Sequence, residues 1–327
     1  MSNLEVAPDE TACEASPRSG IEVLHARDVP LGGPRALHVR RTLPQRQRSL
    51  VGAWCFADHY GPHDVRHSPG MVVPPHPHTG LQTVSWLFAG EIEHRDSGGA
   101  HAYVRPGELN LMTAGAGICH SEVSTAATTI LHGVQLWVAL PEAHRDTERG
   151  FEHFVPQSVS IAGATLRVFL GELAGVSSPV HTFTPLLGAQ LDLAPHADVT
   201  VPIDIRFEHG VLLDQGGLAV DGEQLAVGDL GCQSAGQSTL HVTNAHNEPA
   251  RGLLLGGPPF DEDLVMWWNF VGRSHADIVS YRDLWESHDR RFGAVTGYVG
   301  TPARLPAPPL PTTPLKPRPP SGRKDSR

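Results

Sequence analysis

Cysteine is scarce in this chain and follows no pairing pattern: Cys13, Cys55, Cys119 and Cys232 lie far apart and form no C-x-x-C. That excludes a zinc ribbon and a secreted disulfide framework, and it points to a reducing, cytoplasmic setting. No apolar run approaches the length of a bilayer span, and the stretch from Met1 to Gly20 has neither a basic n-region nor an apolar core. No membrane or secretory segment is therefore expected. Positive charge is also in deficit, with a formal net charge of -10, which argues against nucleic acid and anionic membranes as direct partners. Helical periodicity is missing until the end of the body.

What remains is rich in turns. The 327 residues include 34 glycines and 29 prolines, with 40% apolar and 18% charged residues. That length suggests about two domains, and that composition suggests β structure. Residues 1–20 read as a disordered leader without hydrophobic periodicity. From Ile21 short apolar alternations suggest paired strands, separated by Pro30 and Gly32-Gly33. Between Leu50 and Leu140 runs such as Leu81 to Phe88, Leu109 to Thr113 and Ile130 to Val138 follow one another closely, broken by Pro and Gly. Such spacing suggests an antiparallel sandwich or small barrel.

A first domain over 21–150, a connector over 151–180 and a second domain over 181–295 follow from these rhythms. Leu218 to Leu230 reads as strand, Asp-Gly turn and strand, and two β blocks of similar size suggest an internal duplication. One helix is predicted. Ser274 can cap it with Asp277, Ile278, Tyr281, Leu284, Trp285 and His288 share a face, and Arg290, Arg291 and Gly293 suit its end. Residues 296–327 carry nine prolines from Thr301 onward and five basic residues near the end, Lys316 to Arg327. They read as a solvated, polyproline-like, disordered tail.

Two short patterns carry chemistry. His76-Pro77-His78 and His120-Ser121-Glu122 each place two ligand-type side chains at i, i+2, and on a strand such residues leave the same face. Three imidazoles and a carboxylate aimed at one point suit a single divalent ion, Fe(II), Mn(II), Ni(II), Cu(II) or Zn(II), with positions left open for exchange. Neither pattern follows a zinc finger or a helical H-E-x-x-H.

The order of motifs is specific. Phe56-Ala57-Asp58-His59-Tyr60-Gly61-Pro62, His76-Pro77-His78-Thr79-Gly80-Leu81-Gln82-Thr83-Val84, Gly90-Glu91-Ile92-Glu93-His94-Arg95-Asp96-Ser97, Met112 through Glu122, and Gln135-Leu136-Trp137-Val138-Ala139-Leu140-Pro141 resemble the successive motifs of the pirin family of cupins. The likeness extends more weakly through Gly256-Gly257-Pro258-Pro259 to the terminal helix, and so spans about 21–295. The resemblance implies an all-β bicupin: two tandem jelly-roll-like barrels and a C-terminal helix. It places one metal, usually iron, on His76, His78, His120 and Glu122 of the first barrel, and none in the second.

It also implies one of two roles. The first is a quercetin 2,3-dioxygenase-like oxidoreductase using O2 on a small aromatic, flavonol-like substrate, with Glu122 as the catalytic proton acceptor. The second is a redox-sensitive regulator that binds a transcription factor or a metabolic enzyme. Gln82 stands where many relatives carry Glu, so a neutral amide is expected to replace an acid near the site. Met266-Trp267-Trp268-Asn269-Phe270 departs from the family's pattern. His94 to Ser97 is expected to form a charged turn without ligands. His59 and His63 flank the site as second donors or loop residues, and Cys119 is expected to point away as a buried structural thiol.

Overall fold

A computed structural model describes residues 20–31 and 37–317; the leader, the Gly32-Gly33 turn and the last basic residues, from Arg318 on, lie outside them. The first half of the chain contains β1 (Glu22–Leu24), β2 (Arg27–Leu31), β3 (Leu37–Leu43), β4 (Trp54–Asp64), β5 (Val72–His78), β6 (Leu81–Ala89), β7 (Ile92–Asp96), β8 (His101–Val104), β9 (Leu109–Thr113), β10 (Ile118–Ser124), β11 (Ile130–Ala139) and β12 (Gly150–Phe154). The second half contains β13 (Ser158–Ile161), β14 (Ala164–Leu170), β15 (Glu172–Leu173), β16 (Val176–Ser177), β17 (Leu187–Leu193), β18 (Asp198–Pro202), β19 (Glu208–Gln215), β20 (Leu218–Val220), β21 (Glu223–Leu225), β22 (Leu230–Gln233), β23 (Thr239–Thr243), β24 (Ala250–Gly257), β25 (Val265–Trp267), β26 (Phe270–Gly272) and the helix α1 (His275–Glu286).

The sheets pair off as the predicted two-barrel, all-β fold. A seven-stranded sheet, β12-β9-β6-β11-β4-β3-β2, faces the four strands β5-β10-β7-β8. A second seven-stranded sheet, β13-β14-β17-β24-β19-β22-β1 read from its other edge, accompanies β18-β23-β20-β21. Strand for strand the two sets correspond, β6 with β19, β5 with β18 and β10 with β23, which is the order an internal duplication leaves. β1 pairs with β22, register Glu22↔Cys232, so the start of the chain completes the second barrel's sheet, while β12 completes the first.

The barrels are joined by apolar surface. Trp54, Val84, Trp86 and Leu136 share one buried cluster with Phe169, Leu212, Leu253 and Leu255. Trp86 packs its ring 4.6 Å from Phe169 and donates its indole N–H to Gln190 Oε1 at 2.9 Å. An aromatic side chain with a satisfied polar tip suits this position, because it can be buried without leaving an orphan donor.

Two C-terminal expectations are corrected. Helix α1 has the predicted Ser274–Asp277 capping box and buries Ile278, Tyr281 and Trp285, but it ends at Glu286 with Ser287 as C-cap. Arg290, Arg291 and Gly293 lie beyond it. The tail over 301–317 is irregular and largely exposed, but it is anchored to the helix rather than free. Trp285 Nε1–H donates to Leu305 O at 2.9 Å, the Leu305 amide donates to Pro75 O at 2.8 Å, and Leu305, Leu310 and Leu315 pack on the helix cluster. Proline supplies extended backbone with few donors to satisfy, so the segment can lie flat on an aromatic surface. Truncation after Gly300 should lower the unfolding free energy by about 2–4 kcal/mol in urea titrations, from lost apolar burial and hydrogen bonds; an unchanged midpoint and slope would contradict this packing.

Candidate metal centre

β5 and β10 run antiparallel with His120 opposite His76 and Ile118 opposite His78. Side chains two apart on a strand share a face, so the ladder brings the imidazoles together, with ring centroids 5.0 Å apart for His76–His78, 4.3 Å for His76–His120 and 5.0 Å for His78–His120. A register shift between His120 and Glu122 sets Glu122 opposite Val73. All four side chains are buried.

Hydrogen bonds fix the tautomers. His76 Nδ1–H donates to Pro74 O at 2.9 Å, while its Nε2 has no hydrogen-bond partner. Asp96 Oδ2 lies 3.1 Å from His94 Nε2, and His94 Nδ1 lies 3.4 Å from His120 Nδ1. A proton on His94 Nε2 therefore leaves its Nδ1 to accept from His120, whose Nε2 lone pair is freed. That freed nitrogen lies 3.1 Å from His78 Nε2. Burial pushes His76 down to about 4, and burial with the neighbouring His76 ring holds His78 and His120 well below the usual imidazole range. Neutral imidazoles with converging lone pairs are the state a first-row metal requires, and the residues present fit such an ion.

The ligand-type atoms form two overlapping groups: His76, His78 and His120, and then His94, His120 and Glu122. Ser85 Oγ lies 3.3 Å from Glu122 Oε1 and 2.9 Å from Gln135 Oε1, and its single proton serves one of the two at a time. His94 is thus a buried strand residue in contact with the candidate ligands. The expectation of a charged turn applies only to Asp96, whose Oδ1 accepts from the Gly98 and Ala100 amides. An H-x-D on a strand adjacent to β10 was the available signal.

Other expectations resolve by strand alternation. Ser85 faces the cluster, so Gln82, three residues away, faces the other side of β6, where its Nε2–H donates to Thr113 Oγ1 at 2.9 Å. It does not replace an acid at the site. Cys119 points away, into the Trp267–Phe292 cluster, and its burial pushes the thiol up to about 12. The unfamiliar segment Met266 to Phe270 forms the β25–β26 hairpin. Its Phe270 bridges Thr79, and the Val271 amide donates to Thr79 O at 3.1 Å, which secures the turn after His78.

His63 is a surface residue whose Nε2–H donates to His38 O. His59 belongs to a different group between the barrels. With His132 it meets Asp214 Oδ1, at 2.7 and 2.6 Å, while Arg251 donates to Asp214 Oδ2 at 2.6 Å and Arg40 Nε donates to His59 Nδ1 at 3.1 Å. The Arg40 donor places the His59 proton on Nε2, facing Asp214. With two guanidiniums beside it, this group is a junction of hydrogen bonds and charge rather than a cation site. These partners hold the Asp214 carboxyl well below the usual carboxylate range despite its burial.

Comparison with known proteins places this geometry in a family. The profile of the Pirin domain matches residues 36–138, and that of the Pirin C-terminal cupin domain matches 188–293. The chain belongs to the pirin family, a class of two-barrel cupins. Among individual relatives, a Pseudomonas aeruginosa protein provisionally named a quercetin 2,3-dioxygenase is 41% identical over 95% of this chain and 98% of its own. A Caulobacter vibrioides pirin-like protein is 33% identical over 81% and 92%. The crystal structure of an Acinetobacter baumannii quercetin 2,3-dioxygenase superposes with a TM-score of 0.84 at 38% identity, covering 90% of this chain and 97% of that one. No helix among the described residues is long and apolar enough to cross a membrane.

Two predictions follow from these contacts. His94→Phe should keep the fold yet weaken metal retention by about 10–100-fold in chelator competition, since the residue orients His120. Asp214→Asn should cost about 3–5 kcal/mol near neutral pH, because it breaks a buried charge pair. The sign with pH is set by the depressed carboxyl: its contribution is present above the unfolded value of about 4 and fades as pH falls below it. The gap between wild type and Asp214→Asn in denaturation midpoints should therefore narrow in acid; a gap that widens would reverse the assignment.

Proposed function

We propose that this protein is a metal-dependent dioxygenase of the quercetinase type, acting on a flavonol-like aromatic whose neighbouring hydroxyl and carbonyl oxygens chelate the metal. His76, His78 and His120 would hold the ion, Fe(II) by preference, with Glu122 completing the set. The metal, when bound, supplies Lewis acidity toward the substrate oxygens and electron exchange with O2.

The observation that carries this reading is the lining of the barrel beside the histidines. The His78 ring lies 5.2 Å from Trp137, and Trp137 stacks on Phe56 at 4.0 Å and 13°. On the same inward face Trp137 Nε1, Gln135 Nε2 and the Tyr60 hydroxyl are buried donors without a hydrogen-bond partner among the described residues. An aromatic wall with uncommitted donors suits a flat, polyhydroxylated ligand, because a buried donor left unmet costs free energy that a ligand oxygen recovers. The names of the Pseudomonas and Acinetobacter relatives agree with this substrate class.

Glu122 takes the proton of the chelating hydroxyl. Its carboxylate lies beside Ser85, which also bonds Gln135, so the base is connected to the substrate-facing wall. Glu122→Gln keeps an oxygen for the metal and Ser85 but removes the basic charge. Quercetin-dependent O2 uptake should fall at least about 100-fold, the usual contribution of a positioned base, at unchanged metal content. Undiminished uptake in protein that retains its metal would remove Glu122 from this role.

A further inference from the structure

The second barrel has an apolar core where the first has its histidines, and a cavity at one end. The strands corresponding to β5 and β10 are β18 and β23, and they turn Val199, Val201, Leu240 and Val242 into the barrel core. At the end where the β18–β19 loop enters, corresponding to the turn after His78 in the first barrel, lies a cavity of about 610 Å³. His209 lines it. On β19 this residue alternates with Val211 and Leu213, which belong to the barrel core, so its ring faces inward. It is only 1% exposed, and among the described residues neither Nδ1 nor Nε2 has a hydrogen bond of normal geometry, the Phe207 backbone being a nearby polar group.

The ring's place is built. Gly256 lies opposite His209 in the ladder, and a Cβ there would come within 2.9 Å of His209 Cδ2. The neighbouring Glu208, on the other face, accepts from the Gly52 amide at 2.9 Å and from Arg48 at 3.2 Å, which ties the start of β19 to the first barrel. Burial lowers the imidazole to about 4, so it presents one N–H donor and one lone pair. Two of the other polar groups are committed, Asp204 paired with Arg206 at 2.6 Å and Thr182 donating to Thr184 O at 2.8 Å, while Glu172 and Ser177 stand at the exposed rim. Among the described residues no lysine or arginine lines the cavity, so phosphates and carboxylates find no counter-charge there. Leu173, Val180 and Leu187 form aliphatic walls, and the Phe207 ring stands 6.0 Å from His209 at 31°.

The geometry points to a second, metal-free binding site in the C-terminal barrel for an uncharged phenol, whose hydroxyl meets His209 and whose ring lies among Phe207 and the aliphatic walls. It is separate from the metal centre and stands whether or not that centre is a dioxygenase.

The test is a titration of intact, metal-loaded protein carrying ¹³C-labelled histidine with 4-methylphenol, and in parallel with benzoate. His209 is assigned by the resonance lost in His209→Gln. 4-Methylphenol should move the His209 signal saturably. Ser177→Trp, at the exposed rim, should weaken that response at least tenfold while the His209 signal remains in place without ligand. Benzoate should leave it unmoved. A His209 signal that does not respond to 4-methylphenol, a response unchanged in Ser177→Trp, or benzoate acting equally well would each overturn the site.

Discussion

The pairing of β5 with β10 is the constraint on which the rest of the centre depends. Because side chains alternate along a strand, a slip of one residue would turn His76 and His78, or His120, out of the barrel. The ladder is held from outside as well as within. Its outer side carries the β25–β26 hairpin on Thr79, the tail on Pro75, the Arg291 guanidinium on Ala116 O, and Ser97, which accepts from the Cys119 amide at 3.0 Å and donates to Phe292 O at 2.6 Å. The C-terminal helix and tail thus act as a brace for the metal strands of the first barrel, although they follow the second in sequence. A centre whose lone pairs must converge without a proton between them needs such support, since loose imidazoles would turn toward other partners.

Duplication followed by divergence accounts for the asymmetry between the barrels. Both have the same strand order, but the strands that carry histidines in one carry Val199, Val201, Leu240 and Val242 in the core of the other. The second barrel exchanged polar convergence for ordinary core, and it contributes Leu212, Leu253 and Leu255 to the joint apolar cluster and Asp214 and Arg251 to the junction. The first barrel keeps its polar interior, including the buried Arg41–Asp58 pair, with Arg41 Nε 2.7 Å from Asp58 Oδ1. Buried charge of that kind is costly unless fully paired, which is consistent with an interior shaped for polar contents.

Much of this was legible in the sequence. Period-two alternation and turn residues disclosed the strands, and two i, i+2 pairs disclosed the strand faces on which the candidate ligands converge. Three things were not. His94 was hidden because an H-x-D has no meaning until β7 is known to lie beside β10. Gln82 was misread because likeness to a family position says nothing about strand parity, whereas Ser85 three residues on does. The tail's anchoring was not legible because proline-rich composition describes backbone conformation, and only the aromatic side chains of α1 decide whether such a chain is bound. His59 and Asp214, 155 residues apart, illustrate the same limit: no local pattern joins them.

The central claim is that the histidine centre binds a chelating hydroxylated aromatic through its metal. The most direct measurement is an anaerobic titration of the metal-loaded protein with quercetin, followed by absorption spectroscopy. The account predicts a red-shifted band, as the hydroxyl gives up its proton, that saturates at one equivalent per bound metal and is absent from metal-stripped protein. No shift, or an equal shift without metal, would contradict it.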